Sequence, residues 1–81
     1  MTIRLQPVQV ATGTSDTESR LVFSDGVLVA VLVRLSDIHG DRAGMWFLEA
    51  GFGPVRHPDP PTFADLDKAQ IWVEWQLESR R

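Results

Sequence analysis

Cysteine is the first thing that the sequence lacks: none occurs among its 81 residues. Without cysteine there can be no disulfide bond, no thiolate zinc site and no cysteine nucleophile, so packing alone must hold the fold together. A chain without cysteine also suits a reducing compartment. We therefore expect a cytoplasmic protein.

The sequence also lacks long apolar runs and an excess of positive charge. Its longest unbroken apolar run, residues 27–33, is far shorter than the roughly 20 residues that span a bilayer. The first ten residues, MTIRLQPVQV, have no apolar region typical of a signal peptide. The net charge is −3, and the 8 Lys and Arg residues are scattered, whereas nucleic-acid-binding proteins concentrate them on one face. We expect no membrane or nucleic-acid partner.

What is present suffices for one small core. The hydrophobic fraction of 43% and the charged fraction of 23% are ordinary for a globular domain. The length predicts a single domain, residues 1–81, and no internal repeat is visible. Because a chain of this size has little stability to spare, it should leave little apolar surface unused.

Several strand-like runs predict an antiparallel meander. Asp25 and Gly26 join the runs RLVFS and VLVAVLVRL, and an Asp-Gly pair readily takes the positive φ angles of a two-residue type I′ turn. A polar connector, DIHGDRAG, then leads to the aromatic run MWFLEAGF. The first segment, TIRLQPVQV, predicts an edge strand with a bulge or bend at Pro7, because proline cannot donate a ladder hydrogen bond.

A C-terminal helix is predicted over residues 63–81, after the proline-rich connector GPVRHPDPPT. Thr62 is a favourable N-cap residue, and Asp65 completes a pair that resembles a capping box. Arg80 and Arg81 suit the negative end of the helix dipole. Together the elements predict an α+β fold in two layers, in which one C-terminal helix packs on one face of an antiparallel meander sheet of three to four strands.

Both the helix and the second strand of the hairpin carry more apolar surface than this fold buries on one side. At about 100° per residue, the helix has one stripe formed by Leu66, Ala69, Val73 and Leu77. Ile71 and Trp75 lie roughly opposite, and Trp72 lies between and should contact the core. The strand is apolar on both faces, since its odd-numbered residues from Val27 to Leu35 are apolar and so are Leu28, Ala30 and Leu32.

One helix covers only one face of a sheet, so the other face needs a cover. A second copy of the chain, another protein or an apolar small ligand could supply it. Alternatively, the N-terminal strand and the proline-rich connector fold back over it, and some apolar area stays exposed. We predict a non-catalytic protein–protein interaction module that self-associates, as a homodimer, through an apolar sheet face and the helix, or that binds another protein. Its candidate interface residues are Ile71, Trp75, Met45 and Phe47.

An enzyme is the main alternative, because a histidine flanked by carboxylates can bind a metal or act as a general base. The candidate residues are Asp37, His39, Asp41, His57 and Asp59. Their simpler interpretation is as solvated loop residues, because the two histidines lie at opposite ends of a predicted strand that separates its ends by roughly 25 Å. We therefore expect no catalytic residue, metal site or cofactor. An apolar small-ligand binder is the other alternative.

Overall fold

The computed structural model of the chain describes residues 2–13 and 16–79. It is an α+β fold, in which a five-stranded antiparallel sheet of sequential strand order is followed by one helix. The strands are β1 (Ile3–Gln9), β2 (Glu18–Ser24), β3 (Val27–Arg34), β4 (Trp46–Gly51) and β5 (Thr62–Phe63), and the helix is α1 (Leu66–Ser79). Two short 3-10 segments, Asp37–Arg42 and Gly53–Val55, flank β4. The predicted antiparallel meander and C-terminal helix are confirmed.

The β2–β3 hairpin has the predicted turn. Asp25 has a φ angle of 52° and Gly26 one of 84°, and positive values at both central residues define a type I′ turn. Ser24 and Val27 pair directly on either side of it. The right-handed twist of this turn type suits two long strands that leave it side by side.

β1 is an edge strand, as predicted, but it has no bulge at Pro7. The pairing with β2 runs without interruption, and Pro7 lies opposite Arg20. An edge strand tolerates proline without a bulge when the side that lacks the N–H points away from its neighbour. The register shifts occur further into the sheet, after Val22 in the pairing of β2 with β3 and after Val31 in that of β3 with β4.

The predicted count of three to four strands was too low, and the predicted helix start was wrong. Thr62 and Phe63 form β5, where Phe63 pairs with Trp46 of β4 and its side chain is buried. The helix starts three residues after Phe63, and Asp65 is its cap, since its carboxylate accepts the backbone N–H of Lys68 at 2.8 Å. Burial of Phe63 against the sheet is more favourable than a helix that starts at this residue. Arg80 and Arg81 lie outside the described residues.

The core joins the helix to the sheet. Ala69 and Val73 of α1 are fully buried, and they cluster with Leu32 and Leu48 of the sheet and Val55 of the second 3-10 segment. Leu66, Trp72 and Leu77 are partly buried against the same cluster. The predicted inward stripe of the helix is therefore confirmed, as is the predicted contact of Trp72 with the core.

The helix lies toward the β4–β5 end of the sheet, where its contacts are mainly with β5 and the Gly53–Val55 segment. Nearer β2, a different group shields the sheet: the guanidinium of Arg20 lies 5.0 Å from the ring centre of Trp46. Such an arrangement lets an arginine stem cover apolar surface while its charge stays near water. This part of the sheet is thus covered by side chains such as Arg20 rather than by the helix.

A membrane-spanning helix is not found within residues 2–13 and 16–79.

Gly51 is the point where the end of β4 approaches the second 3-10 segment most closely. A Cβ atom added there would lie 2.4 Å from the carbonyl oxygen of Val55 and 2.8 Å from its carbonyl carbon. Both are backbone atoms, which cannot move aside as the tip of a flexible side chain can. Only glycine allows Val55 to reach the core at this position.

We expect Gly51→Ala to lower the free energy of unfolding by about 1–3 kcal/mol, the usual cost of overpacking a tight site. Glu49→Ala in the same strand is the matched control, because Glu49 is exposed and such substitutions usually change stability by less than about 0.5 kcal/mol. Urea unfolding of both variants measures the difference. Equal stability of the two variants would contradict the close contact.

Candidate functional site

A cleft lies over the face of β3 and β4 that carries Val33 and Phe47. Its volume is about 290 Å³, and it is lined by Thr12, Asp16, Val33, Leu35, His39, Arg42, Phe47 and Glu49. β3, β4 and the adjoining Leu35 supply a floor that is apolar apart from Glu49. In it, Val33 is 2% exposed and Leu35 is also buried. The β1–β2 loop and the Asp37–Arg42 segment supply the polar rim. The cleft therefore forms where two connections fold over the sheet.

Asp16 holds these two connections together. Asp16 is only 8% exposed, and one of its carboxylate oxygens accepts the backbone N–H of Ser36 at 2.7 Å. The other oxygen lies 2.5 Å from Nε2 of His39. Asp16 thus joins the β1–β2 loop to the start of the β3–β4 connection, and we call Asp16, Ser36 and His39 the carboxylate clamp.

The clamp stabilises the charged form of its carboxylate. Hydrogen bonds from the Ser36 side chain and then from His39 lower the pKa of Asp16 from 3.8 to about 2, with smaller contributions from the Ser36 backbone and the charge of His39. Desolvation acts in the opposite direction but is outweighed. A buried carboxylate with several donors behaves in this way, because each donor favours the ionised form.

The described residues on either side of Asp16 are joined by hydrogen bonds. The Thr12 hydroxyl donates to the carbonyl of Asp16 at 3.0 Å, and the backbone N–H of Val10 donates to the carbonyl of Thr17 at 3.0 Å. Below them, the buried Ser19 hydroxyl donates to Thr17. These hydrogen bonds position the backbone of Asp16, and its contacts with Ser36 and His39 position the carboxylate.

An aspartate beside a histidine can orient the ring and raise its basicity, as in the triads of hydrolases. Such a base also needs a nucleophile or a bound substrate within hydrogen-bond reach. Here the hydroxyl of Ser36 is itself engaged with Asp16, so it serves the clamp. Within the part of the chain that the structure describes, no group of three or more His, Cys, Asp or Glu side chains could hold a metal ion.

The residues of the predicted chemical cluster are not brought together. His39 contacts Asp16 rather than its sequence neighbours Asp37 and Asp41, which are exposed on the 3-10 segment. His57 lies elsewhere, with its ring edge-on to Trp72 of the helix at a centroid distance of 5.9 Å. Its Nδ1 accepts the backbone N–H of Asp59 at 3.1 Å, a local contact that shapes the proline-rich connector.

The four predicted interface residues lie on two separate surfaces. Ile71 and Trp75 are 55% and 67% exposed on the outer side of the helix. Phe47 lines the cleft, on the opposite side of the sheet from its core-forming neighbours in β4, and Met45 is half-buried just before it. A single flat partner surface could not contact both pairs.

The residues that line the cleft also show which segments cover the face of β3 that carries Val33. The N-terminal strand and the proline-rich connector do not fold over it, because β1 extends the sheet and the connector leads to β5. The β1–β2 loop and the Asp37–Arg42 segment cover its C-terminal half instead, and Val33 and Leu35 are buried there. Nearer the hairpin turn, Val31 and its neighbour Leu21 remain half-buried.

Sequence reasoning missed Asp16, the central group of this site. Asp16 lies in a segment of small polar residues, ATGTSDTES, that is typical of a loop. Its partners follow 20 and 23 positions later, and no local spacing connects such distant residues. The one available signal was an acid in a polar loop of a meander whose second face lacked a cover.

Comparison with known proteins gives no relative for this chain. It matches no family model, and neither the curated proteins nor the solved structures contain a match.

We expect Asp16→Asn to destabilise the protein in a pH-dependent way. Because the folded chain lowers the pKa of Asp16 from 3.8 to about 2, the ionised carboxylate contributes its full stabilisation above the higher value. That contribution is lost as the pH falls through the lower one. Urea unfolding between about pH 2 and pH 7 should show a difference between wild type and variant that shrinks on acidification.

Asp41→Asn is the control, because it removes an exposed carboxylate from the neighbouring segment without touching the clamp. Its difference from wild type should be small at every pH. If both variants gave the same profile, the clamp would not stabilise the fold.

Proposed function

We propose that this protein is a non-catalytic protein–protein interaction module that associates with a second copy of itself through the outer side of α1. The observation that carries the proposal is the exposure of Ile71 and Trp75, 55% and 67%, on one helix face. They are four residues apart, so they are neighbours on the helix surface. Aromatic side chains in such positions are enriched at the centres of protein interfaces.

The two sides of the helix have distinct roles in this proposal. The domain is taken as two layers, with Ala69 and Val73 packed on one face of the sheet and Ile71 and Trp75 turned outward. Positions two apart on a helix differ by about 200°, so the outer pair cannot join the monomer core without removing the inner pair. An ordinary surface helix carries polar residues there.

A second copy is the partner that we favour, because symmetric dimers are the commonest assembly by which small proteins bury such a surface. The module would act in the cytoplasm, a compartment that suits a chain without cysteine. Its function would then be carried by the shape of one helix face rather than by reactive side chains.

Trp75→Gln should weaken self-association and leave the monomer folded, because Trp75 contributes to the outer side of the helix alone. Sedimentation equilibrium from about 1 µM to about 1 mM, the range of weak protein complexes, measures the association. The wild-type melting temperature should rise with concentration, since association stabilises the folded state. The variant should show little of this dependence.

Val73→Ala is the matched control on the inner side of the same helix. Val73 is fully buried, so its truncation should lower stability by about 2 kcal/mol at all concentrations. If Trp75→Gln instead destabilised the chain as much as Val73→Ala does, independently of concentration, then Trp75 would act within one copy. A wild type that stays monomeric throughout would also contradict the proposal.

A small apolar ligand in the cleft is a second candidate function, favoured by the floor of Val33, Leu35 and Phe47 beneath a polar rim. The volume of about 290 Å³ is close to the lower limit for small-molecule sites, about 300 Å³. Such a site would use the apolar surface that the connections leave open. It requires no contribution from the helix.

The two surfaces can be distinguished with an apolar fluorescent dye such as anilinonaphthalene sulfonate. If the cleft binds apolar ligands, Phe47→Ala should reduce dye binding several-fold, because it removes the largest apolar side chain of the floor. Trp75→Gln should leave dye binding by the cleft unchanged. Circular dichroism would verify that both variants are folded, and equal dye binding by wild type and Phe47→Ala would exclude the cleft.

A further inference from the structure

We propose that the two copies dock with the outer sides of their α1 helices antiparallel, about a twofold axis that passes between the helices at the level of Val73 along the helix, so that Lys68 of each copy meets Glu78 of the other. The inference rests on the proposed self-association and adds its geometry. Four exposed residues carry it, Lys68, Ile71, Trp75 and Glu78, which we call the outer seam.

The outer seam has the spacing of a helix-pairing surface. Its members are separated by three, four and three residues, the pattern of the a and d positions along which helices pair. The seam lies opposite the buried residues Ala69 and Val73. The helix thus has one seam that meets the sheet and a second that meets solvent.

The seam is complementary to itself when it is reversed. A twofold axis at the level of Val73 along the helix exchanges positions that are equally far from 73 in the sequence, which brings Ile71 against Trp75 and Lys68 against Glu78. The remaining exposed pair of the helix, Asp67 and Ser79, is exchanged in the same way. Apolar groups therefore meet apolar groups, and each positive charge meets a negative one.

Parallel pairing does not have this property. It would place Lys68 against Lys68 and Glu78 against Glu78 of the other copy, and like charges in facing positions repel. The order of charges along the seam therefore favours the antiparallel arrangement. It gives the same contact twice, as a closed twofold interface requires.

The charges of the seam are also unfavourable for the helix on its own. Lys68 lies in the first turn, near the positive end of the helix dipole, and Glu78 in the last turn, near the negative end. Helices are stabilised by the opposite arrangement. Lys68 contacts the cap residue Asp65, but at 3.9 Å and with both side chains more than half exposed, a pair that contributes little.

An antiparallel partner corrects this arrangement. It brings the negative end of the other helix and its Glu78 to Lys68, and the positive end to Glu78. The charge order that is unfavourable in one copy becomes favourable in two. Local preferences that a sequence violates are often satisfied at a functional surface.

The interface should be weak. The helix has 14 residues, a length of roughly 21 Å, and one pair of such helices buries less than the approximately 1,200–2,000 Å² of a standard stable interface. We therefore expect a dimer that forms with rising concentration. In such an interface, two charge pairs have a measurable effect on affinity.

Charge reversal tests the arrangement. Lys68→Glu and Glu78→Lys should each raise the dimer Kd by about tenfold at low salt, because two symmetric pairs change from attraction to repulsion. Neither should unfold the monomer, because each new charge suits the helix dipole at its position. The double variant Lys68→Glu/Glu78→Lys restores both pairs and should return to within about threefold of the wild-type Kd.

An equimolar mixture of the two single variants is the sharpest measurement. In a mixed dimer both facing pairs carry opposite charges, so the mixture should associate more tightly than either variant alone. Asp41→Lys is the control for net charge, because it makes the same charge change as Glu78→Lys on the exposed Asp37–Arg42 segment. Raising the salt concentration should reduce all differences.

The possible outcomes separate the two proposals. If the single reversals behave like Asp41→Lys, or if the double variant is no tighter than the single ones, while Trp75→Gln still weakens the dimer, then antiparallel docking is wrong and self-association stands. If the wild type is monomeric at every concentration, both are wrong. Weakening by the single reversals with recovery in the double variant and in the mixture would support the antiparallel dimer.

Discussion

The central strand β3 must be covered on both sides, and the rest of the structure depends on that constraint. On one side, Leu32 joins the cluster that contains Ala69 and Val73 of the helix. On the other side, Val33 and Leu35 are also buried, but among the described residues it is the 3-10 segment Asp37–Arg42 and the β1–β2 loop that lie there, and not an α-helix. The chain covers this side with connections, which need polar groups of their own to stay in place.

The carboxylate clamp supplies those polar groups. A loop that lies over an apolar surface has backbone N–H groups that water no longer reaches, and each needs an acceptor. Asp16 accepts the N–H of Ser36 and pairs with His39, so one side chain satisfies a backbone N–H at the start of the next connection and fixes its orientation. A histidine–aspartate pair can suggest catalysis. Here the contact between His39 and Asp16 has a structural role, because it helps to hold two connections over the sheet.

The parts of the fold that are local in sequence could be predicted from it. The type I′ turn at Asp25 and Gly26 needs only a dipeptide, and the inward stripe of α1 needs only its period. β5 and the Asp65 cap were missed because Thr62 has the chemistry of an N-cap, and only burial of Phe63 against β4 decides otherwise.

The candidate site, like the fold, has parts that could be predicted from the sequence and parts that could not. The outward position of Ile71 and Trp75 follows from helical periodicity, and the structure agrees with it. The sequence analysis grouped these two residues with Met45 and Phe47, which lie on a different surface. To separate the two pairs, one must know which side of the sheet the helix covers. The pairing of Asp16 with His39 is set by how two distant connections meet, and a single sequence carries no spacing that reveals it.

The edges of the sheet restrict how copies of this chain can meet. An exposed edge strand can accept another strand through its free backbone groups, and proteins often block that route with proline, charge or a very short strand. Here β1 contains Pro7 and, three residues before it, the exposed Arg4, and β5 at the other edge is two residues long. Extension of the sheet from copy to copy is therefore disfavoured at both ends. A contact between copies would then depend on side chains, whose identity selects a partner, rather than on a backbone that all proteins share.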